Sequence, residues 1–90
     1  MFSLKGRVAL VTGAGPGLGG VIAQAMARQG ARLVVCDIDA GALAGTESAL
    51  QALGADCLAL RCDVSDSAAV DALFAQAAGR FGTVDILVNN

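Results

Sequence analysis

The sequence predicts an α/β fold built on a doubly wound parallel sheet, with the element order β-α-β-α-β-α-β. Three observations carry this: short apolar runs recur along the chain, helical segments alternate with them, and a glycine-rich turn follows the first run. The runs Val8 to Val11, Leu33 to Cys36, Cys57 to Leu60 and Ile86 to Val88 are continuous rather than alternating, the pattern of strands buried on both faces. Between the first two, Gly17 to Gln29 places Leu18, Val21, Ile22, Ala25 and Met26 at helical spacing, and Gly30 follows as a stop. Asp39 can cap a second helix running to about Leu53, weakened by about 1 kcal/mol at each of Gly41 and Gly45 relative to alanine. From Ser67 to about Phe81, Val70, Leu73, Phe74 and Ala77 share one face, with Ser65 or Asp66 as N-cap and Gly82 as stop. Strands joined by such helices run parallel through right-handed crossovers. The sheet is expected to be incomplete, because a chain ending just after its fourth strand supplies only part of the helical cover that such a sheet needs.

Ninety residues make one domain at most, and 56% hydrophobic against 16% charged residues is apolar for that length. Such a composition suits the interior of a larger domain. Six Lys and Arg residues, scattered singly within a net charge of -2, give no basic stripe for a nucleic-acid backbone, so nucleic acid is not an expected partner. Three cysteines without a CxxC spacing, and no histidine, supply no expected metal site. The odd cysteine count points to a reducing compartment, and no apolar run approaches the roughly 18 residues of a membrane span. The expected location is cytoplasmic, with no membrane partner.

The turn Thr12 to Gly19, TGAGPGLG, stands between the first strand and the first helix. Free N–H groups of a first helical turn, together with the helix dipole, hold an anion there with little need of side chains. Gly13 permits the tight turn, Gly15 and Gly17 keep Cβ atoms away from a pyrophosphate, and Gly19 lets the helix lie close to the strand. An ordinary strand-to-helix turn needs one or two glycines, so four at alternate positions favour a ligand over a bare turn. No Lys followed by Ser or Thr closes the motif, which excludes a Walker-type loop.

Asp37 adds an independent signal. It ends the second strand about 20 residues beyond the glycines, where a carboxylate accepts hydrogen bonds from an adenosine ribose. A 2'-phosphate about 4 Å away would meet a repulsion of up to about 4 kcal/mol per charge pair at an effective dielectric of 20, which favours NAD over NADP.

With these residues in place, the chain resembles the short-chain dehydrogenase/reductase family and its Rossmann-type fold. Thr12-Gly13-Ala14-Gly15-Pro16-Gly17-Leu18-Gly19 is similar to that family's TGxxxGxG loop. Val35-Cys36-Asp37 resembles its second-strand end, Cys62-Asp63-Val64 its adenine-binding stretch, and Asp85 to Asn90 the start of its NNAG segment. The resemblance implies that the loop, Gly13, Gly15, Pro16, Gly17, Leu18 and Gly19, wraps the pyrophosphate of a dinucleotide cofactor. Asp37 would then bind the adenosine ribose, and Asp63 with the backbone of Val64 would bind the adenine edge. It also implies that Asn90 approaches the ribose through its backbone while Asn89 ties the central strands together. Asp63 has a structural alternative as a cap of the following turn, and for Asn89 and Asn90 the structural and binding readings are evenly weighted. Pro16 departs from the family's commoner polar or basic residue, removes one N–H donor, and leaves no cation for a 2'-phosphate.

The family's proton-transfer groups, a Tyr and a Lys in YxxxK with a Ser and an Asn, have no counterpart here. The chain has no Tyr, and its single Lys is Lys5, so no catalytic residue is expected within it. The cysteines read as small core residues, because no basic neighbour is evident that would lower a thiol pKa. Residues 1–90 are therefore expected to be the amino-terminal part of a single NAD(P)-binding domain, truncated after the fourth strand and without turnover by itself. By resemblance the full-length protein would be a homo-oligomer that transfers hydride between NAD(P) and an alcohol or carbonyl. The alternative is a non-catalytic nucleotide-binding or interaction module that pairs its sheet with another chain.

Overall fold

A computed structural model of the chain describes residues 3–90. Four strands and three helices alternate: β1 Val8–Val11, α1 Leu18–Arg28, β2 Arg32–Asp37, α2 Ala40–Ala52, β3 Cys57–Arg61, α3 Ser67–Phe81 and β4 Ile86–Val88. All strand pairings are parallel, in the spatial order β3-β2-β1-β4. The chain moves outward from β1 to β3, then crosses back beneath the sheet through α3 to place β4 on the other side of β1. The direction of winding therefore reverses between β1 and β4, and in open α/β sheets ligands bind at the strand carboxyl ends beside such a reversal.

The continuous apolar runs are explained by packing on both faces. On one side Ala9, Val11, Leu33 and Val35 meet Ala23 of α1 and Leu43 and Leu50 of α2. On the other, Val8, Leu10, Val34 and Cys36 meet Leu73, Ala77 and Phe81 of α3. Successive strand residues point to opposite faces, so every residue of β1 is buried.

Strand ends differ slightly from the sequence expectation. β2 includes Arg32 and Asp37, and β3 includes Arg61, because backbone pairing continues past the last apolar side chain: Val8 lies opposite Arg32 and Asp37 opposite Arg61. Helix α2 forms despite its glycines. Asp39 caps it by accepting from the N–H groups of Gly41 (2.9 Å) and Ala42 (3.1 Å), and burial of Leu43, Thr46 and Leu50 against the sheet supplies what propensity withholds. Of the two cap candidates for α3, Asp66 does the work, accepting from Ala68 and Ala69, and Gly82 in the left-handed conformation ends the helix. Among the described residues, no helix is long and apolar enough to cross a membrane.

Candidate cofactor site

The glycine loop stands at the carboxyl end of β1, and hydrogen bonds fix it to the ends of the neighbouring strands β2 and β4. Thr12 N–H donates to the Val88 carbonyl at 3.0 Å, and Ala14 N–H donates to the Cys36 carbonyl at 2.9 Å, so each flank of the loop is stitched to a neighbouring strand. Gly13, with φ +58°, makes the turn off β1. Its carbonyl accepts from Asn90 Nδ2 at 3.2 Å, and Thr12 Oγ1 accepts from the Asn90 N–H at 3.1 Å.

The packing around the loop gives its glycines further purposes beside those expected. At Gly15 a Cβ would fall 2.8 Å from Asp37 Oδ2 and 3.0 Å from Ala42 Cβ, so the missing side chain admits the Asp37 carboxylate and α2. At Gly17 a Cβ would meet nothing within 4 Å; the backbone there, φ +94° and ψ -149°, is what demands glycine. At Gly19 a Cβ would collide with the Gly13 carbonyl oxygen and lie 2.8 Å from Asn90 Nδ2, in keeping with close approach of helix and strand. Gly20 escaped sequence reasoning, yet a Cβ there would lie 3.1 Å from Thr46 Oγ1.

The Asp37 carboxylate is held in place from both sides. Oδ2 accepts from Gly15 N–H at 3.0 Å and Oδ1 from Asp39 N–H at 2.9 Å, which leaves further lone pairs on each oxygen. Asp63 adopts the turn-capping arrangement, its Oδ1 accepting from the Ser65 hydroxyl (2.7 Å) and N–H (2.9 Å). Those bonds, the hydroxyl first, hold its carboxyl below the usual carboxylate range. With Oδ1 so engaged, the cap assignment and a ligand contact through Oδ2 are compatible. Asn90, rather than Asn89, ties β1 to β4 through its bonds to Thr12 and Gly13, because it stands level with the turn where β1 ends.

Gly13, Asp37, Asp63, Val64 and Asn90 line one cleft of about 240 Å³, together with Ile38 and Cys62. Ile38 (55% exposed) and Val64 (57%) present apolar surface there. Gly15, Pro16 and Gly17 face a separate crevice of about 270 Å³ between α1 and α2, while Leu18 and Gly19 line neither. Thr46, unremarked in the sequence, is 6% exposed, and its hydroxyl donates to the Ala14 carbonyl at 2.5 Å, with Gly15 O at 3.3 Å. Asp85, which the sequence marked only as the start of the NNAG-like segment, accepts through its carboxylate from Val8 N–H at 2.9 Å where β1 begins. Burial, then the neighbouring Cys62, pushes the Cys36 thiol up to about 11, and burial raises that of Cys57.

The residues fit a dinucleotide on structural grounds. Helices α2 and α3 carry aspartate caps, whereas α1 has Gly17 as its N-cap and no side-chain cap bond, which suits its first N–H groups to an anion. A parallel sheet with a glycine loop at its winding reversal and a strand-end aspartate beside that loop defines a dinucleotide-binding α/β protein.

Comparison with known proteins gives the family. The short chain dehydrogenase family model matches residues 7–90, and the chain belongs to the short-chain dehydrogenase/reductase family. It is 47% identical over 92 residues to the D-threitol dehydrogenase of Mycolicibacterium smegmatis, an alignment covering 99% of this chain and 34% of that protein. A hydroxysteroid dehydrogenase structure from Escherichia coli superposes with TM-score 0.95 at 43% identity, covering 99% of this chain and 38% of that one. A short-chain dehydrogenase/reductase from Burkholderia phymatum in complex with NAD gives TM-score 0.91 at 46% identity, covering 97% and 31%. The chain thus spans about a third of the length of the relatives it matches, which is consistent with a cofactor-binding portion of that family.

Proposed function

We propose that this chain binds NAD, in preference to NADP, across the carboxyl ends of its strands, as the cofactor-holding part of an oxidoreductase acting on an alcohol or carbonyl. The observation that carries the reading is the Asp37 carboxylate, fixed by Gly15 N–H beside the cleft that Asp63, Val64 and Asn90 share. In this reading the loop Gly13 to Gly19 and the first turn of α1 hold the pyrophosphate. Asp37 accepts from the adenosine ribose hydroxyls, Ile38 and Val64 flank the adenine, and Asp63 with the Val64 backbone meets its polar edge. Asn90 closes the cleft from β4. When bound, the cofactor supplies a hydride acceptor or donor. The chain's own residues bind and orient it, and with no Tyr and only Lys5 they offer no proton-transfer pair of the YxxxK kind.

Preference for NAD follows from charge. Asp37 and Asp39 stand together at the β2 end, and Pro16 carries no charge, so a 2'-phosphate would face carboxylates with no nearby compensating cation from the loop. The same reading makes residues 1–90 the amino-terminal part of one dinucleotide-binding domain in a cytoplasmic homo-oligomer. Three free thiols support a reducing compartment, and light scattering on the whole protein tests the assembly.

Calorimetric titration with NAD and with NADP, on the unaltered protein and on Asp37→Ala, tests the assignment. The expected result is tighter binding of NAD by the unaltered protein, and loss of that preference in the variant. Equal NAD-to-NADP affinity ratios in the two proteins would remove Asp37 from the ribose role.

A further inference from the structure

The Ala14–Gly15 peptide is gripped at both of its polar atoms. Its carbonyl accepts from the buried Thr46 hydroxyl of α2, and its N–H donates to Asp37 Oδ2. In a trans peptide the C=O and N–H point in opposite directions, so fixing one fixes the other. The following residue is a glycine, whose missing Cβ leaves this peptide plane free to rotate unless something holds it. Ala14 N–H is bound to Cys36 O, which anchors the preceding plane, while Thr46 holds the plane that faces Asp37.

We infer that Thr46 is a positioning residue for cofactor discrimination: by holding the Ala14 carbonyl inward it keeps Gly15 N–H aimed at Asp37 and so fixes the carboxylate that reads the ribose. This rests on the proposal that Asp37 reads the ribose. Without the hydroxyl, the plane can turn its carbonyl toward Asp37, where two acceptors face each other and the carboxylate swings away. Thr46 does not line the cleft shared by Asp37, Asp63, Val64 and Asn90. It acts through the loop, 32 residues away in sequence from Ala14. A Cβ at Gly20 would lie 2.5 Å from the Gly15 carbonyl oxygen and 3.1 Å from Thr46 Oγ1, so its absence leaves room for both.

The test compares Thr46→Val, which keeps shape and removes the hydroxyl, with Thr46→Ser, which keeps the hydroxyl, by calorimetric titration with NAD and with NADP. The ratio of the two affinities is internal to each sample, so it reports Asp37 placement even where stability falls. Thr46→Val should lower the NAD-over-NADP preference by about fivefold, the worth of one ordinary hydrogen bond, and Thr46→Ser should restore it. In an Asp37→Asn background, Thr46→Val should leave the ratio unchanged. If Thr46→Val does not fold, Thr46→Ala serves for the same comparison. An unaltered ratio in the folded Val or Ala variant overturns the inference while leaving the Asp37 proposal intact. Failure of the unaltered protein to bind NAD overturns both.

Discussion

Replacing Gly19 with alanine tests the geometry of the loop more sharply than any change to a charged residue. Gly19 lies within α1, where alanine is intrinsically favoured by about 1 kcal/mol, so propensity alone calls for a more stable protein. The surroundings call for the reverse. The new Cβ would overlap the Gly13 carbonyl oxygen and lie 2.8 Å from Asn90 Nδ2. The loop cannot retreat freely, because Thr12 N–H is bound to Val88 and Ala14 N–H to Cys36 on either side of Gly13. Overpacking of this kind costs about 3 kcal/mol, and displacing Gly13 loses the Asn90 hydrogen bond, worth about 1 kcal/mol. Set against the propensity gain, the net is a loss of about 3 kcal/mol, or a melting point lower by about 10 °C or more for a domain of this size. Gly45→Ala in α2 is the matched control: its Cβ would meet nothing within 4 Å, so the same substitution should raise stability by about 1 kcal/mol. Thermal and urea melts of both variants decide the matter. A Gly19→Ala protein at least as stable as the unaltered one would refute the close-approach reasoning.

Other outcomes follow from the same contacts. Asp39→Ala removes the cap bonds to Gly41 and Ala42 and should cost about 1 kcal/mol in a urea melt, since α2 has two glycines and little intrinsic helix preference. Leu10→Ala, in the buried centre of β1, should cost about 3 to 5 kcal/mol by the same measurement. Stability should fall as pH rises from about 9 toward 11. Cys36 ionises near 9 when unfolded and only near 11 when folded, so over that interval the folded state binds the extra proton; urea midpoints across the range check it, and Cys36→Ala should flatten the slope.

The parallel fold was legible because it depends on apolar periodicity and on glycine, both visible one residue at a time. Val8 to Val11 and Ile86 to Val88 coincide with observed strands for that reason, whereas Arg32, Asp37 and Arg61 extend theirs through backbone pairing that no side chain announces. Helix α2 appeared weak from Gly41 and Gly45, and tertiary burial of Leu43 and Leu50 outweighs them. In the site, Asp37 stood out as a lone acid at the end of an apolar run. Thr46 and Gly20 did not, since a threonine and one more glycine in helical segments carry no pattern until the loop is folded against them. That Asn90 bonds Thr12 and Gly13 is equally a matter of register: only the structure shows which asparagine stands level with Thr12.

The central claim is that a dinucleotide lies across the strand carboxyl ends, from the glycine loop to the Asp63–Val64 turn. Backbone amide NMR spectra recorded during an NAD titration test this most directly, since each loop N–H is its own reporter. The account expects saturable shifts at Gly13, Gly15, Gly17 to Gly20, Ile38, Asp63, Val64 and Asn90, with the opposite end of the sheet, at Arg7, Arg32 and Asp56, unmoved. Shifts concentrated at that opposite end, or none at the loop under saturating NAD, would contradict it.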